Sequence, residues 1–162
     1  MNGKRILIIG YGNPGRLDDG LGPALAQRLM ENDIPGVTVE ADYQLTVEDA
    51  HAVAQNDLCV FADAEVNGPE PFRFQAIEAA ENVMSFTSHG VEPAQVLGLA
   101  RKLFHKEVEG YILGIRGYNF NEFGEKLSKK ARKNMLEAET FIKQCINEGS
   151  FAESGILHSS RN

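Results

Sequence analysis

Three polar features of this chain could carry chemistry: an acidic, glycine-rich loop at residues 10–22, Asp63 at the end of an apolar run, and His89 shortly before a helical pattern. Gly10-Tyr11-Gly12-Asn13-Pro14-Gly15 has the G-x-G-x-x-G spacing of a dinucleotide site, with Glu40 and Asp42 available as ribose-binding acids. Phosphate binding, however, needs the third glycine to open a helix whose amino end faces the anion. Here Arg16-Leu17-Asp18-Asp19-Gly20-Leu21-Gly22 intervenes before Pro23, where a helix is favoured to begin, and two carboxylates occupy the place of the phosphates. The charge opposes NAD or FAD. Asp18 is then read as a capping or loop hydrogen-bonding residue and Asp19 as the functional acid. Asn13 and the glycines shape the loop, because both residue types tolerate unusual dihedrals. Residue type alone leaves the bland readings open: Asp19 can cap a helix, Asp63 can cap a loop, and a histidine ahead of a helix is often only solvated.

The elements that must position these groups follow from periodicity. Residues 5–10 (RILIIG) and 58–62 (LCVFA) are continuous apolar runs, as expected of central strands covered on both faces, the second ending at Asp63. A shorter strand is expected at 37–41 after Pro35-Gly36, and an edge strand at 72–77, where Phe72, Phe74 and Ala76 alternate with Arg73, Gln75 and Ile77. A last strand is expected at 111–115. Helices are expected at 22–32 with an apolar face of Ala24, Leu25, Leu29 and Met30, and at 47–55 behind a Thr46/Asp49 capping box. A third opens at Glu92-Pro93 with Val96, Leu97, Leu99, Ala100 and Leu103, and a fourth lies within 124–147. Alternating strands and helices predict an α/β fold: a three-layer α/β/α sandwich, phosphorylase/hydrolase-like, around a mostly parallel five-stranded sheet. Such sheets bind ligands at the carboxyl ends of their strands, where the three polar features fall. The reading gives one catalytic domain over 1–149 and a flexible Ser-rich tail at 150–162.

Composition bounds the function. A chain of 162 residues with 43% hydrophobic and 24% charged residues can bury roughly 70% of its unfolded surface as one domain. A formal charge of -7 repels nucleic acid and anionic lipid. Nothing approaches the ~18 apolar residues of a membrane span, and Cys59 and Cys145 read as buried thiols, neither a disulfide framework nor a zinc set. The expectation is a cytoplasmic monomer. His51, His105 and His158 read as solvated, and Arg116 as an exposed arginine within possible reach of a substrate.

Two family resemblances bear on the loop. GYGNPG resembles the GLGNPG opening of peptidyl-tRNA hydrolases, but that family follows it with a segment carrying a catalytic histidine, whereas this chain has Arg16-Leu17-Asp18-Asp19 and no histidine before His51. The sequence more fully resembles the hydrogenase maturation endopeptidases, over nearly its whole length, in ILIIGYGNPGRLDDGLG, VFADAEV and SHGVEPAQVLGLA. That resemblance implies a hydrolase, an aspartic or metal-dependent endopeptidase, that trims the C-terminus of the nickel-iron hydrogenase large-subunit precursor after nickel insertion.

It further implies that Asp19, Asp63 and His89 are the metal-binding and catalytic residues. The nickel is expected to be presented by the substrate, with zinc or cadmium able to substitute, and cleavage to follow a basic residue. Two carboxylates and an imidazole suit such ions and leave coordination positions open, and either Asp19 or Asp63 could act as general base. The chain departs from many relatives in reading Asp42-Tyr43-Gln44-Leu45-Thr46 where they carry Gly-Gly-Thr, in a loop expected to border the cleft. A peptidyl-tRNA esterase and a non-enzymatic nickel sensor or large-subunit chaperone are the alternatives.

Overall fold

The computed structural model describes residues 3–82 and 90–151. Five strands form one sheet: β1 (Ile6–Tyr11), β2 (Val37–Asp42), β3 (Leu58–Glu65), β4 (Phe72–Ile77) and β5 (Glu109–Arg116), in the order β2-β1-β3-β5-β4. All neighbouring pairs are parallel except β4 with β5, so the expected edge strand is found at 72–77 and runs antiparallel. Helices α1 (Leu21–Met30) and α4 (Lys129–Glu148) cover one face, α2 (Asp49–Ala54) and α3 (Pro93–Phe104) the other. This is the three-layer α/β/α sandwich that periodicity predicts.

The two-residue period of a strand sorts the core. Ile6 and Ile8 of β1 and Leu58, Val60 and Ala62 of β3 pack beneath α1 and α4, while Leu7, Ile9, Cys59 and Phe61 pack beneath α2 and α3. The RILIIG and LCVFA runs are apolar throughout because both faces are covered. On α1, Leu21, Leu25 and Leu29 recur every four residues and are fully buried, each contributing roughly 1.5–3 kcal/mol. Helix α4 is started by the Ser128 hydroxyl, which accepts from the Ala131 N–H, and stopped by left-handed Gly149. Both cysteines are buried, and neither is in a disulfide.

Several boundaries differ from the expectation. Helix α1 begins at Leu21, not at residue 22 with Pro23 leading it, because a 3-10 turn (Leu17–Gly20) feeds directly into it. Met30 and Leu103, expected on apolar faces, are 42% and 58% exposed. Strand β3 runs past Asp63 to Glu65, paired with β5 along its whole length. Of the capping box at the second helix, the bond from the Thr46 N–H to the Asp49 carboxylate is present at 2.8 Å. Phe151, in the segment read as tail, is buried beside Phe74 and Tyr111; residues 152–162 lie outside the described residues. No described helix is long and apolar enough to cross a membrane.

The connection through α1 returns to β2 on one side of β1, and the connection through α2 carries the chain to β3 on the other. The strand order therefore reverses between β1 and β3, which opens a crevice at their carboxyl ends. Closing α1 onto that edge requires Gly10: a Cβ there would lie 2.1 Å from the Gly22 carbonyl oxygen. Neither backbone can yield without moving the helix. Gly10→Ala is expected to destabilise the fold by about 2–3 kcal/mol, read as a lowered urea midpoint with unchanged m value.

Candidate active site

Asp19 reaches the crevice through a loop folded back on itself. The Asp19 carboxylate accepts the Asn13 N–H at 2.9 Å, and the Asn13 side-chain oxygen accepts the Gly15 N–H at 2.8 Å. Gly12, at φ 142°, carries the chain beneath the turn, where any Cβ would lie 2.1 Å from the Asp19 carbonyl oxygen. Leu17 takes a left-handed φ of 53°, held by its N–H on the Gly124 carbonyl at 2.8 Å and by the Gly124 N–H on the Gly15 carbonyl at 2.8 Å.

Asp18 is the anchor. It is fully buried, and its two oxygens accept the Tyr118 and Asn119 N–H groups, the Ser128 N–H and the Ser128 hydroxyl at 2.7–3.0 Å. Burial alone would raise its pKa, but these bonds outweigh burial and hold the carboxyl below the usual range. The expectation for Asp18 as a loop hydrogen-bonder is met, with partners from the far end of the chain.

Asp63 lies at the carboxyl end of β3, next to that of β1, where Gly10 stands opposite Ala62. Strand parity turns Tyr11, Asp63 and Glu65 toward the α2/α3 face, the side on which Glu92 begins α3. Asp63 is half-buried and accepts the Ala64 N–H at 2.8 Å. Burial lifts its pKa to about 7, against that bond and with the carboxylates of Asp19, Glu65 and Glu92 adding to the rise. Its proton is therefore exchangeable near neutral pH. Burial, together with Asp63 and Glu92, keeps the Tyr11 phenol protonated. The Glu65 carboxylate is held by Arg73, whose Nε lies 3.0 Å away and whose terminal nitrogen also donates to it.

Asp19 and Asp63 are thus brought together, each with its own backbone donor. His89 lies outside the described residues, and among the described residues no three His, Cys, Asp or Glu side chains form a metal-binding group. In the loop at 42–46, the Leu45 carbonyl oxygen lies 3.0 Å from where a Gly90 Cβ would stand. His51 and His105 are exposed, as expected. Arg116 is not free: it donates to the Gly68 carbonyl at 2.7 Å and stacks on Tyr118, a structural role.

Four neighbours of the site went unpredicted: Tyr11, Glu65, Arg73 and Glu92. Glu65 and Arg73 were legible only if β3 continued past Asp63, since parity then puts Asp63 and Glu65 on one face. Tyr11 was hidden as a variable position in the glycine pattern, and Glu92 as a helix-opening residue.

Comparison with solved structures bears on this arrangement. The chain superimposes on the nickel-iron hydrogenase maturation protease HycI of Thermococcus kodakarensis KOD1 with a TM-score of 0.68 at 22% identity, covering 89% of this chain and 93% of that one. The chain has the fold of the hydrogenase maturation proteases. A hydrogenase 2 maturation peptidase from a Thaumarchaeota archaeon gives 0.66 at 20% identity, over 89% of this chain and 99% of the other. The hydrogenase maturating endopeptidase HybD of E. coli gives 0.66 at 22% identity, over 90% and 93%. No protein-family model matches the sequence, and the comparison with curated proteins finds no match. The maturation-protease fold is therefore shared along almost the whole chain, at identities that speak for architecture alone.

Proposed function

We propose that the protein is an endopeptidase of hydrogenase maturation. It removes the C-terminal extension of the nickel-iron hydrogenase large-subunit precursor after nickel insertion, in the cytoplasm, and recognises the nickel its substrate carries. The observation that carries this reading is Asp63, a carboxyl with a pKa of about 7 beside Asp19 at the switch point of the sheet. The maturation-protease fold supports the same reading.

Amide hydrolysis needs a group that takes a proton from water as it attacks the carbonyl and gives one to the departing nitrogen. A carboxyl poised near neutrality suits both steps, so Asp63 is assigned as general base and then general acid. Asp19, oriented by the Asn13 N–H, is assigned to the substrate's nickel together with His89 and, before proton transfer, Asp63. Bound nickel would polarise the scissile carbonyl. The protonated Tyr11 phenol is a hydrogen-bond donor on the same face and can support the developing oxyanion.

The test is incubation of nickel-loaded precursor with purified protein and with Asp19→Ala, Asp63→Ala and His89→Ala, followed by mass spectrometry. The wild type is expected to release the extension, and each variant to slow release by about a hundredfold or more. Intact precursor after incubation with folded wild type would contradict the endopeptidase reading.

A further inference from the structure

Asn134 is a buried polar side chain on a helix face that periodicity reserves for apolar residues. It is 6% exposed and shares the inner face of α4 with Ala131, Met135 and Ala138. Asparagine is a weak helix former, and burying its carboxamide is unfavourable unless the group is hydrogen-bonded. Here the Asn134 Nδ2 donates to the Arg116 carbonyl at 3.1 Å and to the Tyr118 hydroxyl at 2.9 Å. The Tyr118 hydroxyl in turn donates to the Glu70 carboxylate.

The segment held in this way, residues 116–119, is bonded to both halves of the site. Toward β3, the Gly117 N–H donates to the Glu65 carbonyl at 2.9 Å, two residues beyond Asp63. Arg116 donates to the same connection, through its N–H to the Pro71 carbonyl at 3.2 Å and through Nη1 to the Gly68 carbonyl at 2.7 Å. Toward the loop, the Tyr118 and Asn119 N–H groups donate to the Asp18 carboxylate, and the Asn119 carbonyl accepts the Asp18 N–H at 2.9 Å. The contact is close: a Cβ on Gly117 would lie 3.0 Å from the Asp18 Cβ. One short strap therefore ties the strand that carries Asp63 to the turn that carries Asp19.

We propose that Asn134 and Tyr118 are positioning residues for the hydrolysis: by holding the strap from α4 and from Glu70, they fix the Asp19 turn relative to the strand carrying Asp63. The proposal rests on the endopeptidase reading for the reaction that is served. Two acids acting on one substrate must keep their separation, because a misplacement of about 1 Å can cost about a hundredfold in rate. An apolar residue at position 134 would serve packing alone. What the carboxamide adds is direction, since hydrogen bonds to two acceptors fix where the strap lies against the helix.

The experiment compares the wild type with Tyr118→Phe, Asn134→Leu and the double variant, measuring cleavage of nickel-loaded precursor per folded molecule and amide hydrogen exchange at Asp18 and Asn119. Tyr118→Phe keeps the ring and the backbone bonds to Asp18, and Asn134→Leu keeps the volume at the buried position, so each removes the hydrogen bonds with little else. Each single variant is expected to lower kcat about tenfold with KM within about twofold of wild type, and to speed exchange at both amides. The double variant should lose less than the two single losses combined, because the two residues share a bond. Wild-type kcat in both single variants would overturn the positioning role and leave the endopeptidase reading intact. A raised KM at constant kcat would also overturn it, by placing the strap in substrate binding. Faster exchange in the variants of a wild type that cleaves nothing would keep the strap's hold on the Asp19 turn and overturn the endopeptidase reading.

Discussion

Asp63→Asn is expected to lower precursor cleavage by about two to four orders of magnitude while making the protein more stable above pH 7. The loss follows from removing the exchangeable proton, since an amide keeps the shape of the side chain but cannot accept a proton from water. The gain follows from linkage. Unfolded, Asp63 ionises near 3.8; folded, it holds its proton to about pH 7 because burial disfavours the charge. Below pH 4 both states are protonated and the residue contributes nothing to the pH dependence. Between 4 and 7 the unfolded chain ionises while the native protein does not, so stability falls as pH rises, and above 7 the penalty is complete. Discounted for solvent screening at a half-buried site, that penalty is about 2 kcal/mol, or roughly 5 °C in Tm for a domain of this length. Thermal unfolding of wild type and variant at pH 4 and pH 8 checks it: the curves should converge at pH 4 and separate at pH 8, the variant higher. A variant less stable at pH 8 would refute the assignment of a strained acid.

Asp18→Ala is expected to have the opposite signature, losing stability and activity together. Removing the buried carboxylate takes the acceptor from three backbone N–H groups and the Ser128 hydroxyl, at a cost of about 3–5 kcal/mol. The same bonds seat the turn that carries Asp19, so cleavage by the fraction that still folds should fall as well. Asp18→Asn keeps an acceptor and should retain part of both. Because the native bonds depress the Asp18 pKa below its unfolded value, its contribution is present above about pH 4 and disappears as pH falls through the folded pKa. Denaturant unfolding at neutral pH, with hydrogen exchange at Tyr118, Asn119 and Ser128, measures the loss. Unchanged protection at those amides would show that the carboxylate does not anchor the segment.

These two aspartates also mark how far the sequence could be read. Uninterrupted apolar runs at 5–10 and 58–62 expose both central strands, because strands covered on both faces leave no polar alternation, and from them came the layers of the sandwich. Asp63 was visible as the acid ending such a run. The path of the chain around Asp19 was not, because what shapes the 3-10 turn is remote: Leu17 is fixed by Gly124, and Asp18 by a residue 110 positions further along. No local pattern announces bonds of that range, and so Pro23 was taken for the start of a helix that begins at Leu21. Glu65 was lost for a related reason. Its strand continues only because β5 offers it a partner, and that pairing is a property of the sheet, not of the segment.

The central claim is that Asp19 and Asp63 serve hydrolysis of a substrate that brings its own nickel. The most direct measurement is a cleavage time course, followed by intact mass, of purified protein with nickel-loaded and nickel-free large-subunit precursor in parallel. The account predicts loss of the C-terminal extension from the loaded precursor and cleavage of the nickel-free form at least about tenfold more slowly. Equal rates on the two forms, or a loaded precursor that keeps its full mass, would contradict it.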